Sequence, residues 1–266
     1  MRILGVNLAE HGSICMLNDG QIEYYVEAER ITRKKYDFKV DRIIDDSLKP
    51  DAIALADCDY LHASDFADKM LYTAKARSKL KRLYPDVPVY DYTKKHHLTH
   101  AACGYYRSDF LEAAVVVVDG VGSNGECESI YHVSHNEFTC IQKRITKVDS
   151  VGFGKLFEIT AVSMGWDHRE AGKVMGHAAL GEGDTHECQK LWEARLHLLV
   201  EDAIRETGCE CIVLAGGCML NCVANYKLLK SLPKAVKLYT EPVAHDGGTS
   251  IGAAYLVHYA TKIRHS

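Results

Sequence analysis

The apolar positions of this 266-residue chain fall into short strand-like runs alternating with longer helix-like stretches, and the same order occurs twice. Residues 2–7, 13–18 and 22–28 have strand length and composition, and Asn18-Asp19-Gly20 supplies a hairpin turn between the second and third. The period then lengthens. A short helix is predicted over 38–47, a strand over 52–56, a helix from Ser64 to Leu83, a strand near 87–90 and a helix over 94–106. The second round opens at Ala113. Ala114-Val115-Val116-Val117-Val118 reads as a buried strand ending in Asp119-Gly120, and strands over 127–134 and 137–146 complete a second meander. Helices over 154–165, 185–207, 220–231 and 248–261 alternate with strands over 211–215 and 236–240.

Two meanders, each followed by alternating helices and strands, predict an α/β chain with the duplicated actin-like ATPase fold. The expected lobes are 1–112 and 113–266, each a mixed sheet flanked by helices, with ligand in the interlobe cleft. In that layout Glu10–Ser13, Asp119–Ser123 and Gly216-Gly217 would converge on a nucleotide. Glycines at such turns let backbone N–H groups reach phosphate or adenosine with no Cβ in the way.

Composition narrows the class. At 47% hydrophobic residues the chain can bury a sizeable core, but no apolar run approaches the ~20 residues of a membrane span and the amino terminus lacks signal-peptide features, so a cytoplasmic location and no membrane partner are expected. None of the ten cysteines forms a C-x-x-C pair. Cys15, Cys140 and Cys211 lie in or beside apolar runs and read as packing residues, as do the closer groupings Cys209/Cys211 and Cys218/Cys222. The net charge of −4 hides a basic segment, in which Lys69, Lys75, Arg77, Lys79, Lys81, Arg82, Lys94 and Lys95 face only Asp86 and Asp91. With Leu71, Leu80 and Leu83 turned inward, that segment is either a solvated helix face or a surface for phosphate or nucleic acid.

The candidate chemistry begins at His96-His97-Leu98-Thr99-His100. On a helix, His96 and His100 at i and i+4 project from one face and can share a cation. The downstream stretch from Glu241 to Gly248 offers the carboxylate such a pair wants.

Five ordered stretches resemble the O-carbamoyltransferases of the nodulation, cephamycin and tobramycin pathways. They are Val26 to Lys35, His96 to Ala101, Gly172-Lys173-Val174-Met175-Gly176-His177-Ala178, Gly216 to Asn225, and His245 to Ala254. The resemblance implies metal-assisted carbamoyl transfer from carbamoyl-adenylate, made from ATP and carbamoyl phosphate, to a hydroxyl. The acceptor would be a sugar, a natural product, or a hydroxylated nucleotide or DNA base. It further implies a divalent metal, iron first and Mn, Mg or Zn otherwise, on His96, His100 and Asp246, with Asp119 as a further ligand. Lys173 and the backbone of Gly120 and Gly122 would hold phosphate; Gly216, Gly217, Asn221 and Asn225 would surround adenosine. The family is also similar to the tRNA threonylcarbamoyl transferases, which leaves that activity, or a non-catalytic nucleotide-binding subunit, as the alternatives.

Two departures from the resemblance matter. At the first meander turn the family carries His-Asp, whereas this chain has His11-Gly12; His11 is kept for the acceptor, and Glu10, Glu182 or Asp184 must replace the missing carboxylate as general base. Family members usually continue into a YrdC-like adenylate-forming domain that residues 1–266 do not include, so the expectation is a separate YrdC-like partner, an altered donor, or a sequence cut from a longer protein.

Overall fold

The computed structural model describes residues 1–58, 66–147 and 151–263. The chain resolves into two compact units. The first comprises Met1–Tyr106, Gly122–Asn124 and His245–Ser266, and the second Arg107–Val121 and Gly125–Ala244.

The first unit is built on a sheet of β1 (Arg2–Asn7), β2 (Ser13–Asn18), β3 (Gln21–Glu27), β4 (Ala52–Ala56) and β5 (Val89–Asp91), in the order β3-β2-β1-β4-β5. β1, β2 and β3 pair antiparallel, and β1, β4 and β5 parallel. One sheet face packs Leu4, Val6, Ile14 and Ile53 against Ala76 and Leu80 of α2 (Phe66–Leu83). The other packs Ile3, Cys15, Leu17 and Ala54 against Cys103 of α3 (His96–Arg107) and Ile251, Ala254 and Tyr255 of α8 (Thr249–Ile263).

The second unit repeats the scheme with β6 (Glu112–Val118), β7 (Glu126–Ser134), β8 (Glu137–Ile145), β9 (Cys211–Ala215) and β10 (Lys237–Thr240), in the order β10-β9-β6-β7-β8. Its core gathers Val116, Val118, Ile212 and Leu214 around the fully buried Trp192. Helices α4 (Phe153–Ser163), α5 (Ala171–Ala178), α6 (Gly183–Thr207) and α7 (Cys222–Ser231) belong to this unit, and α1 (Ala28–Thr32) follows β3 in the first. Among the described residues no helix is long and apolar enough to cross a membrane.

Two expectations change, and one helix is added that the pattern did not predict. Residues 38–47 form only a single 3-10 turn at Val40–Arg42: Val40, Ile43 and Ile44 have helical spacing but plug into the core from a loop, which Lys79 secures by donating to the Asp41 carbonyl at 2.8 Å. Residues 171–178 form a helix that two glycines in eight residues disguise. A division at 112/113 also groups α8 with the second sheet, whereas that helix packs on the first. Ser64, the expected start of α2, lies outside the described residues.

Small residues seat α8. A Cβ on Gly5 would lie 1.9 Å from the Ser250 carbonyl oxygen, and one on Gly252 would lie 1.8 Å from that of Thr99, so α8 touches both β1 and α3 through backbone. Gly252→Ala should therefore cost about 2–3 kcal/mol in urea unfolding. Gly176→Ala, in α5 with open space around it, should be neutral or stabilise by up to about 1 kcal/mol. Equal effects of the two substitutions would refute this account of the α8 seat.

His258 of α8 is 3% exposed, and burial, then Lys262, push its pKa below the ordinary 6.5. The unfolded chain binds that proton more readily, so the stability His258 contributes is complete above 6.5 and is lost as pH falls from there through the depressed value. His258→Gln should flatten the fall in unfolding free energy between about pH 7 and 5; an unchanged slope would exclude His258 as its source.

Candidate functional site

In the first unit α3 is buried along nearly its whole length, and His96 and His100 are 0% and 1% exposed. Their Nε2 atoms lie 3.1 Å apart, and each is 3.5 Å from Oδ1 of Asp246. The His96 Nδ1 faces the carbonyl of Asp57 at 3.2 Å. A carbonyl only accepts, so Nδ1 carries the proton and Nε2 presents a bare lone pair. The Asp57 backbone is itself fixed, because its side chain is paired with the buried Lys69 at 2.8 Å and accepts the Cys58 N–H at 2.7 Å.

This donor set fits a divalent ion. A separation of 3.1 Å suits two imidazole nitrogens about 2.1 Å from one ion at nearly a right angle, and a carboxylate oxygen completes a borderline N,N,O face. Glycine makes room beside it: a Cβ on Gly122 would lie 2.7 Å from the His97 ring and 3.1 Å from that of His96, which places Gly122 against the imidazoles of α3.

The first meander turn adjoins the Asp246 turn. Asn7, fully buried, donates to the carbonyls of Glu10 and His11 and accepts the Ala9 N–H, and His11 takes a left-handed φ of 52°. Ser13 donates to the Gly247 carbonyl at 2.7 Å, tying the two turns together. His11, Glu27 and His245 thereby form a second cluster, with one donor atom from each within 4.8 Å of the others. The His11 and His245 rings sit 4.4 Å apart, and the His245 Nε2 is 3.4 Å from Oε1 of Glu27. Burial, then the neighbouring His11, lower the His245 pKa. This cluster does not suit a metal: the Gly247 N–H donates to His245 Nδ1 at 3.0 Å, so in the neutral ring the proton sits on Nε2 and points at Glu27. Glu27 and His245 each lie in one of the family-resembling stretches, but the sequence assigns neither of them a role. The available signal was the neighbourhood of His245 to Asp246; the pairing of Glu27 with Ser13 depends on a register shift in the β2–β3 ladder.

In the second unit Asp119 directly follows β6 and Gly216 directly follows β9. The Gly217 N–H donates to Asp119 Oδ1 at 3.2 Å. A Cβ on Gly216, whose φ is 92°, would lie 2.3 Å from the Val118 carbonyl oxygen, and one on Gly154, at the start of α4, would lie 2.4 Å from the Gly120 Cα. Backbone thus packs on backbone around Asp119-Gly120. Asn221 caps α7 by accepting the Ala224 N–H at 3.0 Å and exchanges two hydrogen bonds with Gln189, so its amide is committed to structure. Asn225 donates to the Met219 carbonyl, and its Oδ1 is buried with no hydrogen-bond partner among the described residues. Lys173 lies on the outer side of α5, 54% exposed and paired with Glu170 at 2.7 Å. Glu182 and Asp184 are exposed at the start of α6.

The profile of one family, described as carbamoyltransferase N-terminus, matches residues 59–203 and 188–255, most of the chain. The chain belongs to this carbamoyltransferase family. Nodulation protein NolNO of Sinorhizobium fredii is 23% identical over 322 aligned positions, covering 92% of this chain and 46% of that protein. An uncharacterised Synechocystis protein, sll1178, is 24% identical over 96% of this chain and 56% of its own length. The chain thus spans about half the length of these curated relatives, and the alignments exceed its 266 residues because the relatives carry inserted segments. Among solved structures, the ROK hexokinase of Thermus thermophilus superposes with a TM-score of 0.58 at 13% identity, covering 96% of this chain and 98% of that one. At such identity the likeness shows the fold alone, that of the actin-like ATPases.

Proposed function

We propose that the chain moves a carbamoyl group from carbamoyl-adenylate to a hydroxyl of a small molecule, with a divalent ion, iron first, held by His96, His100 and Asp246. The observation that carries this reading is the meeting of two imidazole nitrogens and a carboxylate within 3.5 Å on buried elements of a carbamoyltransferase-family chain. When bound, such an ion supplies Lewis-acid polarisation of the carbamoyl carbonyl.

The chain's own residues do the rest. His96 is held in its metal-ready tautomer by the Asp57 carbonyl. His11 stands at the turn tied to the Asp246 turn, with its Nδ1 3.8 Å from Oε2 of Glu29, and its imidazole takes the acceptor hydroxyl proton in this reading. The acceptor oxygen forms its bond to the carbamoyl carbon, the bond from that carbon to the phosphate oxygen breaks, and AMP leaves with the electron pair. The solvated Glu182 and Asp184 suit the base role less well. Carbamoyl-adenylate is made from ATP and carbamoyl phosphate by a YrdC-like adenylate-forming activity.

The basic segment favours a small acceptor over nucleic acid. Lys69 is buried against Asp57, Arg77 pairs with Asp91 at 3.2 Å and Lys79 is spent on the Asp41 carbonyl, so fewer charges remain to meet a phosphate backbone. The test is mass spectrometry of acceptors after incubation with iron-loaded protein, ATP, carbamoyl phosphate and a YrdC-like adenylate-forming protein. Sugars, hydroxylated natural products and hydroxymethylated nucleotides form the panel. Addition of one carbamoyl group to a hydroxyl is the expected result, and no product from any class would overturn the reading.

A further inference from the structure

A nucleotide at the Asp119-Gly120 turn brings negative charge to a place already rich in carboxylates. Asp119 is buried there, and a Cβ on Gly120 would lie 3.3 Å from Oε1 of Glu158. The acidity is felt at Cys218, whose thiol is pushed well up, first by burial and then by Asp119, Glu128 and Glu158. A phosphate joins such a setting only with a cation beside it. Glu128 offers none to spare, since Arg144 and Arg195 bind it at 2.9 and 2.6 Å. Lys173 is turned out on α5, whose inward residues are Val174 and Ala178.

Lys155 meets the requirement. It stands in the first turn of α4, directly after Gly154, the residue whose missing Cβ lets this helix touch Gly120. Its side chain is 14% exposed, and Nζ is held 2.6 Å from Oε2 of Glu158, the carboxylate whose other oxygen lies over Gly120. The i,i+3 pairing preorganises the ammonium at the turn instead of leaving it to sweep through solvent.

We propose that Lys155 is the cation that binds the phosphate of an adenine nucleotide at the Asp119-Gly120 turn, in the role the sequence had suggested for Lys173. The proposal rests on the nucleotide-binding part of the reading above. Glu158 is the positioning partner: it holds the ammonium in the resting protein and yields it to the phosphate.

Calorimetry with adenosine, AMP and ATP separates this proposal from the reading it rests on. Lys155→Met should weaken AMP and ATP about tenfold or more, the worth of one charge-assisted hydrogen bond, and leave adenosine within about twofold. Lys173→Met should leave all three ligands unchanged. Glu158→Gln, which frees the ammonium without removing it, should hold AMP as tightly as the wild type or more so; circular dichroism checks that each variant is folded. If folded Lys155→Met binds AMP like the wild type, or loses adenosine in the same proportion, the assignment of Lys155 falls while the nucleotide site stands. If the wild-type protein binds no adenine nucleotide at all, both fall together.

Discussion

His100→Ala will lose its divalent ion, and carbamoyl transfer with it, while remaining folded. His100 supplies one of two imidazole nitrogens whose Nε2 atoms are 3.1 Å apart, and without it the ion is left with His96 Nε2 and Asp246 Oδ1 in this unit. Removing an outer-sphere partner of a ligand already costs roughly 10–100-fold in affinity, and removing the ligand itself should cost more. The substitution also truncates a buried side chain, so the apo variant should be about 2–3 kcal/mol less stable than the apo wild type. Two measurements keep these effects apart. Metal content after anaerobic reconstitution with iron reads the site directly. The melting temperature with and without metal reads linkage: an ion that binds only the folded chain raises it for the wild type and not for His100→Ala. Asp246→Asn, which keeps shape and removes charge, should fall between the two. Full metal occupancy and activity in purified His100→Ala would disprove the assignment.

Much of this site was legible in the sequence because it depends on local periodicity. The i,i+4 spacing of His96 and His100 fixes their common face once the segment is helical, and the Asn18-Asp19-Gly20 turn fixes the hairpin. What could not be read depends on register and on distant backbone. The β2–β3 ladder shifts between Met16 and Leu17, so Ser13 pairs with Glu27, where an unbroken hairpin from Asn18–Gln21 would give it Val26. That one-residue slip brings a carboxylate to His245, and no composition rule announces a bulge. Lys69 counted as part of a solvated basic face because α2 was read alone; its partner Asp57 lies at the end of another element. Lys173 carried the phosphate role because it sits in a family motif. The motif's helix α5 buries Val174 and leaves the lysine outside, whereas Gly154-Lys155 lies in no motif that had drawn notice. Gly252, in the last motif, serves the contact of α8 with α3.

Gly217→Val should abolish adenine nucleotide binding with a modest loss of stability, whereas Gly216→Val should unfold the second unit or fail to express. The two glycines are adjacent but differently placed. At Gly216 a Cβ would meet backbone, 2.3 Å from the Val118 carbonyl oxygen, and φ is 92°, a conformation costly for a β-branched residue. At Gly217 the nearest atom to a Cβ is Oδ1 of Asp119 at 2.9 Å, the end of a side chain that can turn away. Turning it away breaks the 3.2 Å bond from the Gly217 N–H, and the valine branches fill the space that backbone contact with a phosphate or ribose needs. Because the strain at 217 falls on a movable carboxylate and not on β6, the unfolding transition should shift by about 1–2 kcal/mol while AMP affinity drops beyond detection. Chemical denaturation and calorimetry on the same preparation decide it. A folded Gly217→Val that binds AMP like the wild type would show that nucleotide is held elsewhere, and a Gly216→Val as stable as Gly217→Val would show that the backbone contact with Val118 is not what shapes this turn.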